Sequence, residues 1–135
     1  MDFTFTEDQQ MFAEAARSVL TAEVTADRIR DRWSTPSGLD LPLLHQMQEL
    51  GLPRMLVPES LGGLGLGQAD FIMMAQTCGY VACPEPIAEQ VMVTAPLLVD
   101  VLDRGLGHGA VQTALDALQG GAPVATGHPI NPFIN

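Results

Sequence analysis

A chain of 135 residues is long enough for one domain with one sizeable core, and 47% hydrophobic against 16% charged residues marks it as globular rather than disordered. Sixteen acidic side chains face six arginines and no lysine, a formal net charge of −10, so nucleic acid and anionic membrane surfaces are poor partners. The lack of lysine also excludes Schiff-base chemistry, a lysine general base and a phosphate-binding lysine of the Walker type.

Aromatic residues are sparse, which leaves Ala, Leu, Val and Met to fill the core and favours helices over strands. Residues 1–10 are acidic and lack an apolar core, unlike a secretory signal or an Arg-rich transit peptide. No apolar run approaches the length of a membrane span. Cys78 and Cys83 have no histidine nearby in sequence and read as free, buried thiols of a reducing cytoplasm.

Thr6-Glu7-Asp8-Gln9 has the form of a capping box, and Met11, Phe12, Ala15, Ala16, Val19 and Leu20 follow at helical spacing. A helix is therefore expected over about residues 7–23, with a further turn or two over 26–33 and a loop over 34–38. Asp40 is placed to cap the next helix, whose stripe is Leu43, Leu44, Met47 and Leu50, and Gly51 supplies its left-handed stop. Residues 52–67 are turn-rich, and 68–80 read as helix again.

The segment from residue 87 to 103 is apolar nearly all round, so it has to be buried on most sides. Pro96 is expected to kink it, because proline removes an amide donor and clashes with the preceding turn. Glycines 105, 107 and 109 then break the chain before a last short helix over about 110–119. Val124-Ala125-Thr126 has strand character, in a tail of turn residues. The expected fold is an all-α up-down helical bundle of five or six helices with a short strand-like carboxy-terminal tail.

Motif chemistry is thin. Glycines 62, 63, 65 and 67 yield no G-x-G-x-x-G spacing and follow no strand pattern, so they read as turn glycines rather than a nucleotide loop. Ser60 lacks the first glycine of a nucleophile elbow. His45, His108 and His128 are far apart, with no partner at metal-ligand spacing. Glu59, one acid beside a glycine turn, is expected to bond loop amides rather than to catalyse. The over-apolar helix is the one physical pointer to function: it lines an apolar ligand cavity or faces a partner, and local chemistry does not separate the two.

An ordered set of motifs adds to this. Val57-Pro58-Glu59-Ser60-Leu61-Gly62-Gly63-Leu64-Gly65-Leu66 resembles the "VPEEYGGLGL" signature of acyl-CoA dehydrogenases. Glu49-Leu50-Gly51-Leu52 stands where that family reads "ELGL", and Phe5-Thr6-Glu7-Asp8-Gln9 resembles its usual entry. Cys78-Gly79-Tyr80-Val81-Ala82-Cys83-Pro84-Glu85-Pro86 is similar to the "LGRALAPEP" of many bacterial members. The matches fall in order across roughly residues 3–125.

The resemblance implies the amino-terminal helical domain of an FAD-dependent flavoprotein of fatty acid metabolism. Such an enzyme carries out α,β-dehydrogenation of acyl-CoA thioesters: a glutamate takes the α-proton and flavin N5 the β-hydride. It assigns residues 1–121 to that domain and 122–135 to the truncated start of a middle β-domain. The flavin-contacting segments and the glutamate base are then expected beyond Asn135, so no catalytic, cofactor-binding or metal residue is assigned here, and FAD is not expected to be held by this chain alone. What carries over is the acyl-pocket wall, for which Met92, Val93 and Leu97 are the candidates. The implied partners are the acyl-CoA substrate and the remaining dehydrogenase domains or a partner subunit, in a cytoplasmic oligomer, with this chain expected to be inactive alone. The rival expectation is a non-enzymatic helical module that pairs with another chain.

Overall fold

Local signals and observed helix boundaries agree closely in the computed structural model, which describes residues 4–124. The helices are α1 (Glu7–Glu23), α2 (Ala26–Arg32), α3 (Leu41–Glu49) and α4 (Gln68–Tyr80), then α5 over residues 87–103 and α6 (His108–Gln119). Short 3₁₀ turns occupy Leu52–Arg54 and Glu59–Leu61, and among the described residues there is no strand. No helix among them is long and apolar enough to cross a membrane. Of the expected strand, only Val124 falls within the described residues, and it has no regular structure.

Caps join helices as well as starting them. The Thr6 hydroxyl accepts from the Gln9 amide at 3.2 Å, and the Gln9 side chain accepts from the Thr6 amide at 2.8 Å. Gln9 Nε2 also donates to Asp70 Oδ1 at 2.7 Å, while Asp70 Oδ2 accepts from the Gly67 amide at the start of α4. One chain of hydrogen bonds thus holds the amino ends of α1 and α4 together, and the two helices lie side by side.

Two cores result. The main one packs Ala16 and Leu20 of α1, Leu43 and Met47 of α3, Phe71 and Met74 of α4, and Val91 of α5. Phe71 is wholly buried, which for a side chain of this size stabilises by about 1.5–3 kcal/mol. The smaller core sets Ala95, Leu98 and Leu102 of α5 against Leu115 and Leu118 of α6, with Val57 from the turn segment.

That turn segment doubles back on itself. The amides of Leu64, Gly65 and Leu66 donate to the carbonyls of Arg54, Val57 and Met55 at 2.8–2.9 Å. The approach leaves no space at Gly63, where an added Cβ would lie 1.9 Å from the Val57 carbonyl oxygen. Gly63→Ala should therefore lower stability by about 1–3 kcal/mol in chemical denaturation. Gly79→Ala is the control: a Cβ at Gly79 in α4 meets nothing within 4 Å, so its higher helix propensity should stabilise by roughly 1 kcal/mol.

Candidate functional site

The helix α5 is not uniform. Its central turn, Gln90–Thr94, is π-helical, between α-helical Ile87–Glu89 and Ala95–Asp103. Pro96 sits in the first turn of the second α-helical part, where a missing amide donor matters least. The disturbance expected as a kink at Pro96 is thus met as a widened turn just before it, a common device for inserting one residue without ending a helix.

Widening also decides which side chains face out. Val91, Thr94 and Ala95 are buried, and Met92 is half-buried against the main core. Val93 and Leu97 remain 52% and 46% exposed. They stand four residues apart, so they share one face of the helix. The three residues proposed from sequence are therefore divided: Val93 and Leu97 form an outward apolar strip, and Met92 turns to the interior.

The inward side of α5 has no room for a ligand. The cleft between Leu44, Met47, Leu52, Val91 and Leu118 holds about 20 Å³, the space of a single water. Beside it, the buried Gln90 side chain forks onto the chain leaving α6. Its Nε2 donates to the Val124 carbonyl at 2.7 Å, and its Oε1 accepts from the Val124 amide at 3.0 Å. A side-chain amide here does what a neighbouring strand would do, and it ties the exit of the helical bundle to the π turn. This role was not read from sequence, where Gln90 looks like one polar interruption of an apolar helix.

Glu59, Ser60 and His45 are exposed, and His45 Nδ1 lies 3.7 Å from Glu49 on the surface of α3. His128 is outside the described residues. Among the described residues no three His, Cys, Asp or Glu side chains converge to hold a metal ion. The glycine loop does not fit a flavin diphosphate either. Five consecutive amides, Gly62 to Leu66, already donate to carbonyls of residues 54–59, and an anion cradle needs such donors free.

A second polar feature lies just before the amino end of α5. Arg32, buried at the end of α2, donates from Nη1 to Glu85 Oε2 at 2.8 Å and from Nη2 to Asp40 Oδ2 at 2.7 Å. Glu85 Oε1 accepts from the Asp40 amide, and Asp40 Oδ1 caps α3 through the Leu43 amide. Arg28 reaches Asp40 from the rim and pairs with Glu23. Burial by itself would raise the Asp40 carboxyl, but the Leu43 amide and the guanidinium groups of Arg32 and Arg28 outweigh it and hold the carboxyl below its ordinary value. The sequence identified Asp40 as a cap. It gave no sign that Arg32 would pair with Glu85, 53 residues away.

Residues 6–103 match the family model described as acyl-CoA dehydrogenase, N-terminal domain. The chain is 29% identical to acyl-CoA dehydrogenase FadE27 of Mycobacterium tuberculosis, over 95% of its own length and 38% of that protein's. Among solved structures it is similar in fold to a variant of the Tcur3481-Tcur3483 steroid ACAD, with a TM-score of 0.68 and 23% identity, over 85% of this chain and 30% of the other. It thus spans well under half the length of either relative.

The buried network yields a measurable consequence. Arg32→Met leaves two carboxylates without their buried cation and should cost about 3–5 kcal/mol. Because the folded state holds Asp40 below its ordinary value, its contribution is complete above the unfolded value of about 4 and is lost as pH falls through the folded value. Unfolding free energy followed against pH should decline in that acid window, and Asp40→Asn should flatten the decline.

Proposed function

Since the chain belongs to the acyl-CoA dehydrogenase family and carries its amino-terminal domain, we propose that it serves the α,β-dehydrogenation of acyl-CoA thioesters by forming part of the wall around the acyl chain. The observation that carries this is the outward strip of Val93 and Leu97, two branched aliphatic side chains left open on a helix otherwise packed into two cores. An alkyl chain laid along the strip removes apolar surface from water on both sides, at roughly 25 cal/mol for each Å². Met92, half-buried against the main core, stands behind the strip, and its flexible thioether adapts to the packing there.

FAD, when bound in such an enzyme, accepts the hydride. The glycine loop of this chain has its amides committed, so the flavin is held by the remaining domains and a neighbouring subunit, as the resemblance implies. This chain contributes orientation and exclusion of water rather than a group that moves a proton. In this reading residues 1–121 are the helical domain and residues 122–135 open the middle domain. The fork from Gln90 to Val124 sets the direction in which that connection leaves α6. The working form is a cytoplasmic oligomer with the other dehydrogenase domains, and the chain alone is inactive.

The test is Val93→Trp in an acyl-CoA dehydrogenase assembled with this domain. Bulk on the strip should shorten the longest acyl-CoA accepted and spare short ones, measured as kcat/KM over a chain-length series. Val93 is half exposed, so the isolated domain should keep its stability within about 0.5 kcal/mol. Val91→Trp, at a wholly buried position, should instead destabilise the domain by about 1–3 kcal/mol. An unchanged chain-length profile, with loss of association between this domain and its partner, would favour a strip that faces protein rather than substrate.

A further inference from the structure

Among the described residues, three helices end in the same hydrogen-bonded motif. At the end of α5 the Leu106 amide donates to the Val101 carbonyl and the Gly105 amide to Leu102. At the end of α6 the Ala122 amide donates to Ala117 and the Gly121 amide to Leu118. At the end of α4 the Cys83 amide donates to the Cys78 carbonyl at 2.9 Å and the Ala82 amide to Gly79 at 3.1 Å. This is the Schellman arrangement, in which one residue takes a left-handed conformation and the residues on either side of the paired bonds bring their side chains together. Glycine holds the left-handed position in α5 and α6, with φ of 72° and 83°. In α4 that position is Ala82, at φ 51°, the one non-glycine residue with positive φ among the described residues.

The residues joined by the longer bond are Val101 with Leu106 and Ala117 with Ala122 in the first two cases, positions where an apolar contact commonly accompanies the motif. In α4 they are two thiols. Both cysteines are free, Cys78 is buried and Cys83 is half-buried, and Ala82 and Pro84 beside it are exposed. The Cys83 thiol also lies 3.6 Å from Glu85 Oε2, the carboxylate that pairs with Arg32.

We propose that Cys78 and Cys83 form a dithiol modification site, which hydrogen peroxide converts to an intramolecular disulfide closing the carboxy end of α4. The reaction balances without a bound cofactor. A thiolate of the pair attacks one peroxide oxygen, the O–O bond breaks, and a sulfenic acid and hydroxide result. The second sulfur displaces the sulfenic oxygen as water, its own proton neutralises the charge, and the S–S bond forms. Two thiols lose two electrons and two protons, and one peroxide becomes two waters.

The hydrogen bond from Cys83 lowers the Cys78 thiol against the opposing effect of its burial, which favours Cys78 as the attacking sulfur. The same bond, together with burial, raises Cys83, which suits it to resolve the sulfenic acid rather than to start the reaction. Oxidation removes the Cys83 proton and leaves Arg32 as the partner of Glu85 Oε2. The site does not depend on the acyl-pocket reading.

The test uses the full chain, treated with hydrogen peroxide, quenched, alkylated under denaturing conditions and weighed by mass spectrometry. The expected product is a monomer lighter by two hydrogen atoms, with neither cysteine alkylated, that dithiothreitol returns to the doubly alkylated form. Peptide mapping should place the link between Cys78 and Cys83. In Cys83→Ser the reaction should stop at a dimedone-trapped sulfenic acid on Cys78. Two alkylatable thiols after treatment, separate sulfinic or sulfonic acids on the two sulfurs, or a disulfide between two chains would each overturn the proposal.

Discussion

The ion pair between Arg32 and Glu85 holds the sequence-distant parts of this domain in register. Arg32 closes α2, Asp40 begins α3, and Glu85 lies between the two prolines that lead into α5. Charges taken out of water are costly unless each finds its partners, and here the guanidinium meets one carboxylate through each terminal nitrogen. Glu85 spends its second oxygen on the Asp40 amide, so the network is joined to the backbone at the start of a helix. A shift of α5 by one residue would leave a buried charge unmatched, whereas an apolar contact would slide at little cost. The direction of α5, and with it the placement of Val93 and Leu97, follows from that constraint.

Within α5, the π turn reconciles demands that a regular helix would set against each other. Residues before it pack on the main core, and residues after it pack on α6. Pro96 requires the turn before it to yield, and the inserted residue both relieves the ring and rotates the second half of the helix relative to the first. The same turn presents Gln90 to the backbone of Val124. One local irregularity thereby joins the outward apolar strip to the point where the chain leaves the bundle. The family match over residues 6–103 covers the whole of α5, including this turn.

Much of the fold was legible in the sequence because its causes are local. The capping box at Thr6, the Asp40 cap, the left-handed Gly51 and the stripes of apolar residues act within one or two turns, and the helices over 7–23, 68–80 and 87–103 begin and end where those signals stand. The glycine segment was legible as a turn for the same reason: its spacing matched no cradle, and its amides are bound within a dozen residues. Tertiary packing decided the rest. Periodicity assumes about 100° for each residue, so it could mark α5 as over-apolar but could not separate Met92 from Val93 across a π turn that resets the phase. Pairing a charge with a partner 53 residues away depends on how the helices pack, which no local pattern encodes, and so the pairing of Arg32 with Glu85 stayed silent in the sequence. The sequence by itself determined where the helices start and stop, since the hydrogen bonds that end them are satisfied nearby; only the folded chain decided which faces meet, because burial is settled by all the helices at once.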